Sequence, residues 1–180
     1  MSLAKINQIG KVRKPTECEK CRVEIKVGDP AVKFAVGFRG RTRVRCAKAE
    51  CFPKPSERES SLVSSAYAAQ EEADVDSAMT LEDLEQIRDD VAEATREVAS
   101  EYENSEMFEK NYDLQERADM LNSAADDLEG WEAPDEEPGE DHDEWNVNGE
   151  DYDNFEDAHE AWLSDARASL QEAIDGMELP

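Results

Sequence analysis

Cys18-Glu-Lys-Cys21 and, 24 residues further on, Cys46-Ala-Lys-Ala-Glu-Cys51 decide how this chain is read. The two stretches hold all four cysteines of the 180 residues. Their spacing, C-x2-C followed by C-x4-C, is that of a four-thiolate zinc site. A two-residue gap lets one chain turn offer two thiolates to one ion, and zinc favours tetrahedral sulfur ligation. The expected ligands are Cys18, Cys21, Cys46 and Cys51, holding a structural Zn2+. Four thiolates leave no open position for water, so such a site holds the chain and catalyses nothing. The competing reading, four unrelated thiols, leaves their clustering unexplained.

Between the pairs the sequence alternates. Arg22–Val27 reads as a strand that ends in a turn at Gly28-Asp29-Pro30. Val32, Phe34, Val36 and Phe38 share one parity with Thr42, Val44 and Cys46, while Lys33, Arg39, Arg41, Arg43 and Arg45 share the other. With Gly37 and Gly40 bracketing a turn, this predicts a β-hairpin with an apolar face over the metal and a basic face outward. Guanidinium groups repeating along a strand suit phosphate, so Lys33, Arg39, Arg41, Arg43 and Arg45 are the candidate nucleic-acid contacts. A solvated edge that resists aggregation explains the same residues, and both readings stay open at this stage.

Charge divides the chain. Residues 1–58 carry 15 Lys/Arg against 6 Asp/Glu, and the remainder carries 5 against 40, within a total of −26. The acidic excess therefore belongs entirely to the second part, and the metal-binding stretch is the one basic region. Two units with separate partners, or one masking the other, are expected. A halophilic origin would explain surplus carboxylates but not a basic head. No run of 18 apolar residues exists to span a membrane, and the first residues lack the apolar stretch of a signal peptide, so the cytoplasm is expected. Paired cysteines there are metal ligands more often than disulfides.

A resemblance enters here. Glu17-Cys-Glu-Lys-Cys-Arg-Val-Glu-Ile-Lys-Val-Gly28 and Arg45-Cys-Ala-Lys-Ala-Glu-Cys-Phe-Pro53 resemble the two halves of poly(ADP-ribose)-polymerase-type zinc fingers, a family that recognises DNA breaks. In those fingers a histidine is the third ligand; Cys46 stands in its place. Arg45–Glu59 with Ser60-Ser61-Leu62, and Glu116-Arg117-Ala118-Asp119 through Leu128-Glu129-Gly130-Trp131, resemble small uncharacterised proteins of actinobacterial phages. That likeness covers most of residues 15–131. It implies a viral accessory protein, working in the host cytoplasm, and names no reaction.

After Pro55 the pattern becomes helical. Ser56 with Glu59 forms a capping box, and Leu62, Val63, Ala66, Tyr67 and Ala73 make one stripe. A break is expected at Asp74–Ser77 and a second capping signal at Thr80 with Asp83. Leu84, Ile87, Val91, Ala94 and Val98, then Leu114, Ala118, Leu121, Ala125 and Leu128, are two seams at three- and four-residue steps. They predict an antiparallel helical hairpin joined near Tyr102–Phe108 and stopped at Gly130, with Trp131 folding back. Such short seams bury little, so self-association or a third helix would complete them. Residues 81–129 hold 17 acidic and 4 basic residues. The surplus is either a solvated face or a row of carboxylates that mimics nucleic-acid phosphate.

Residues 132–153, with 11 acidic residues and no Lys or Arg, read as an acidic linker. Trp145 is its one residue able to anchor a partner, unless it packs back on the helices. Asn154 opens a last helix with Phe155, Ala158, Trp162, Ala166, Leu170, Ala173 and Ile174 on one face and Gly176 at its end; Trp162 is a second candidate partner contact. His142 and His159 are the only histidines, far in sequence from the cysteines, and no phosphate loop or nucleophile elbow is present, so no enzyme is expected.

The expected fold class is therefore α+β. A flexible basic N-terminus (1–13) precedes a zinc module with a β-hairpin (14–55). An acidic helical region (56–131), an acidic linker (132–153) and an amphipathic helix (154–176) follow. The expected function is non-catalytic binding, with the basic module contacting nucleic acid or its machinery and the acidic helices contacting protein. The alternatives are a DNA-mimic inhibitor of a basic host enzyme and a structural or assembly protein.

Overall fold

The computed structural model describes residues 6–35, 42–58, 62–139 and 145–180. Arg39, Arg41, Val36, Phe38, Gly37, Gly40, Glu59 and His142 of the expectations above lie outside them. The fold is α+β, in two compact units, Met1–Ala68 and Ala69–Leu179.

The first unit is built on three antiparallel strands, β1 (Asn7–Ile9), β4 (Ala31–Ala35) and β5 (Thr42–Cys46), in the order β1-β4-β5. A two-stranded ladder of β2 (Thr16–Glu17) and β3 (Glu24–Ile25) lies between β1 and β4 in sequence. Part of the N-terminus read as flexible is thus an edge strand, Asn7 facing Lys33 and Ile9 facing Ala31. The strand expected over Arg22–Val27 shrinks to β3, because the cysteine turn and the Gly28 turn consume its ends. Gly28 has φ +98°, which suits glycine. Its N–H donates to the Val12 carbonyl, and the Val12 N–H donates to Asp29 O, both at 2.9 Å.

The hairpin of β4 and β5 is present, but its faces are not those expected. Val32 pairs with Arg45 and Phe34 with Arg43, while Lys33 pairs with Val44 and Ala31 with Cys46. Cross-strand partners share a face, so Val32, Phe34, Arg43 and Arg45 form one side and Ala31, Lys33, Val44 and Cys46 the other. Parity along a single strand is legible in sequence. Which parity of the next strand it meets is set by the connection, and here partners differ in parity.

The chain leaves this sheet through α1 (Pro55–Arg58) and α2 (Val63–Glu72), whose Val63 and Ala66 are fully buried. The division between the units falls within α2, later than the expected start of the acidic region at residue 56.

In the second unit a 3-10 turn at Val75–Ser77 occupies the expected break. Then α3 (Leu81–Glu103) starts on the expected capping box: Thr80 accepts from the Asp83 N–H, and the Asp83 carboxylate accepts from the Thr80 N–H. α4 (Tyr112–Glu129) returns antiparallel, with Arg96 bound to Asp126 and Glu129, and Glu103 to Asn122. Leu84, Val91 and Val98 of one seam and Ala118, Leu121, Ala125 and Leu128 of the other are buried. Trp131 folds back as expected, its indole donating to Ser169 Oγ at 3.1 Å.

The segment read as a linker contains a β-hairpin, β6 (Trp145–Val147) and β7 (Glu150–Tyr152). Asn148 and Gly149 take φ of 51° and 81°, the pair of left-handed residues a tight hairpin turn demands. Val147 is buried in the main core with Trp162, Leu170 and Ile174 of α5 (Phe155–Asp175). α5 begins at Asn154, whose side chain accepts from the Asp157 N–H, and ends at Gly176. The third helix is therefore an integral core element, not a tethered one.

Candidate metal centre

The cysteine cluster is assembled from three pieces of backbone. Cys18 and Cys21 lie on a tight turn, in which Arg22 N–H donates to Cys18 O and Cys18 N–H to Val23 O, each at 2.9 Å. Arg22 closes that turn at φ 61°, a left-handed conformation that costs a non-glycine residue about 1 kcal/mol. The N–H of Glu19 donates to Val44 O at 3.0 Å and ties the turn to β5, which carries Cys46. A 3-10 turn at Ala49–Cys51 brings in the last cysteine and absorbs the four-residue gap.

The four sulfurs lie within 4.8 Å of one another. Cys21 Sγ and Cys46 Sγ are 3.8 Å apart, and all four cysteines are free. That separation is far too long for a sulfur–sulfur bond, at about 2.05 Å. It matches the edge of a regular tetrahedron with corners about 2.3 Å from its centre, the ordinary zinc–thiolate length. The donor set and spacing thus fit one tetrahedral ion. Cys18 and Cys51 are buried, and Cys21 and Cys46 are partly so.

The surroundings separate the thiols. Burial, and then its sulfur neighbours Cys46, Cys21 and Cys18, push the Cys51 thiol up to about 12. Burial also raises Cys46. Burial opposes the Cys18 thiolate as well, but backbone N–H groups of Cys21, Cys46 and Lys20 outweigh it and bring that thiol down to about 6. Backbone donors thus favour the Cys18 thiolate, and binding of a cation favours deprotonation of the others.

Around the centre, Val12, Ile25 and Ala31 are the buried apolar residues, with Cys18 and Cys51 counted among the core and Val44 packed against it. So small a core needs the cross-link.

The predicted phosphate contacts are scattered by the register. Arg45 is 4 % exposed, and its two terminal nitrogens grip Glu57 of α1 at 2.8 and 2.6 Å. Its Cζ lies 5.2 Å from the Phe34 ring centroid, and its Nε has no hydrogen-bond partner among the described residues. Arg45 is therefore an internal strut, not part of an outward basic face. Arg43 is half-exposed, 3.7 Å from Glu19 and 6.0 Å from the Phe34 centroid. Lys33 alone of the described candidates is exposed with no ion-pair partner among the described residues.

Lys33 has company that sequence reading missed. Lys11, Arg13 and Lys14, placed by sequence in a flexible tail or at its border, share a cleft with it. The signal was the run Lys11-Val-Arg-Lys14 itself, which carried no meaning until β1 and β2 fixed both its ends. Of the candidate partner contacts, Trp162 is fully buried, its Nε1 donating to Asp135 O at 2.9 Å, so it presents nothing to a partner. Trp145 is half-buried against the same core and donates to Gly139 O at 3.0 Å.

No family model, no curated protein and no solved structure matches this chain. Among the described residues no helix is long and apolar enough to cross a membrane.

Proposed function

We propose that the first unit is a zinc-stapled module that binds nucleic acid, and that the acidic second unit contacts protein, the whole acting as a non-catalytic accessory factor of viral origin. Zinc is favoured by the donor set: four thiolates at tetrahedral spacing, with no room for a catalytic water. The observation that carries the nucleic-acid half is the partition of charge. A chain with a total of −26 keeps 15 of its 20 cations in residues 1–58, on the scaffold the cysteines hold. Cations held on a rigid support against such a background suit a polyanion. The protein-contacting half has in its favour a groove between α4 and α5, where Met120, Leu128 and Met177 are flanked by Asp127 and Glu178.

Metal analysis of the purified chain is expected to give one zinc per molecule, with all four thiols shielded from a thiol reagent until a chelator is added. Anisotropy titrations of labelled single-stranded and duplex oligonucleotides test the rest. Binding that weakens steeply with salt and vanishes on chelation is expected; a zinc-loaded chain that binds neither at low salt ends this reading.

A further inference from the structure

Arg22, Arg43, Arg45 and Lys48 each sit against a carboxylate, that of Glu17, Glu19, Glu57 or Glu50. Lys11, Arg13, Lys14, Lys20, Lys26 and Lys33 are exposed with no ion-pair partner among the described residues, and four of them, Lys11, Arg13, Lys14 and Lys33, lie together. These four converge on a single cleft of about 700 Å³, whose lining contains no Asp or Glu.

The architecture of the cleft is specific. Its floor is one sheet face, on which Val44 of β5 lies directly opposite Lys33 of β4 and Ile9 of β1 lies diagonally across, opposite Ala31. Its wall is the segment from Lys11 to Thr16, stretched between β1 and β2. That wall is fixed in its middle by the paired hydrogen bonds of Val12 to Gly28 and Asp29, and beyond its end by Cys18. Val44 and Cys46 lie on the same sheet face, so the strand that floors the cleft also carries one of the four cysteines. Unpaired like charges held together repel, and the repulsion is relieved when an anion lies among them.

We infer that this cleft, and not the arginine strand, seats a single-stranded nucleic acid, with phosphates on Lys11, Arg13, Lys14 and Lys33 and sugar or base faces on Ile9, Pro15 and Val44. The inference rests on the nucleic-acid reading above. A duplex could meet the cations, but its bases are stacked inside it and cannot lie on Ile9, Pro15 and Val44, whereas an unpaired strand can turn its bases onto them. An acidic peptide would satisfy the cations but brings no flat face to the apolar floor. The lining has no aromatic residue to stack on bases and no acceptor side chain other than the Thr16 hydroxyl. Recognition is therefore phosphate-driven and tolerant of sequence.

The test uses the zinc-loaded full chain and labelled mixed-sequence DNA and RNA strands, a matched duplex, and polyglutamate as competitor. Four phosphate contacts on a single strand predict a slope of log K on log salt of about −3, at about 0.7 for each contact. Replacing Lys11, Arg13, Lys14 and Lys33 with Ala should lower affinity at least tenfold and flatten that slope. Each single replacement should remove about 0.7 from it. Arg22→Ala, outside the cleft, should change neither, and unaltered zinc content and circular dichroism confirm that the variants fold. Strand binding that survives the fourfold replacement overturns the cleft while leaving the nucleic-acid reading intact. Tighter binding of duplex, or equally effective competition by polyglutamate, overturns the single-strand assignment. No binding of any oligonucleotide overturns both.

Discussion

Arg45 shows how one residue can be right in kind and wrong in place. Sequence alternation marks it as a strand cation, and the register turns it inward onto Phe34 and Glu57. Nothing in a single strand's pattern reveals that, because an arginine and a valine at opposite parities look the same until the neighbouring strand's phase is known. The clustering of the four cysteines, by contrast, was legible in full, since it follows from their spacing. The Arg45 guanidinium holds the Glu57 carboxyl down to about 2, with the Lys54 N–H helping against the cost of burial. A depressed carboxylate adds stability that is complete above its unfolded value, near 4.5, and lost as pH falls toward 2. Glu57→Gln is therefore expected to destabilise the zinc-loaded chain by about 3 kcal/mol at neutral pH, because it strands a buried guanidinium. Urea melts of the two proteins should converge as pH drops through that window; a neutral substitution at pH 7 would refute the strut. At Arg22 the opposite sign is expected. Glycine there relieves the left-handed backbone, so Arg22→Gly should raise the midpoint of thermal unfolding by an amount equivalent to about 1 kcal/mol.

At the scale of elements, the helices were the readable part. Both seams, the Thr80–Asp83 capping box and the start at Asn154 depend on contacts within a few residues, and they stand as expected. The β6–β7 hairpin was hidden by composition, since 11 carboxylates in residues 132–153 outweighed one Asn-Gly pair. Yet that pair is the strongest local hairpin signal available, and Val147 gave it a core to join. Gly149 has φ +81° with open space around its Cα, so Gly149→Ala tests backbone conformation without steric overlap. It should cost about 1 kcal/mol and speed amide exchange across Trp145–Tyr152. Trp162 belongs at this scale too: fully enclosed, it holds α5 and the segment around Asp135 together. Trp162→Ala should cost about 3–5 kcal/mol and lower the urea midpoint of the helical unit. An unchanged midpoint would return Trp162 to the surface.

The whole molecule is organised by charge and by two kinds of core, a four-cysteine cluster with a small apolar surround in one unit and a larger apolar core in the other. Chelation should erase amide protection in the first unit while the far-ultraviolet helical signal of α3, α4 and α5 persists. Among the five cations of the second unit, Arg96 is clamped by Asp126 and Glu129, Arg167 by the Ala78 carbonyl, and Arg88 by Asp89 and the Trp131 carbonyl. The same scarcity makes the chain its own digestion map. A protease that cuts after lysine or arginine, except before proline, finds thirteen sites in residues 1–58, where Lys14 and Lys54 precede proline, five in all that follows, and none between Arg117 and Arg167. Trypsin should therefore nibble the first unit at a rate set by its metal and leave a long acidic fragment intact, so that a gel lane reads zinc occupancy directly.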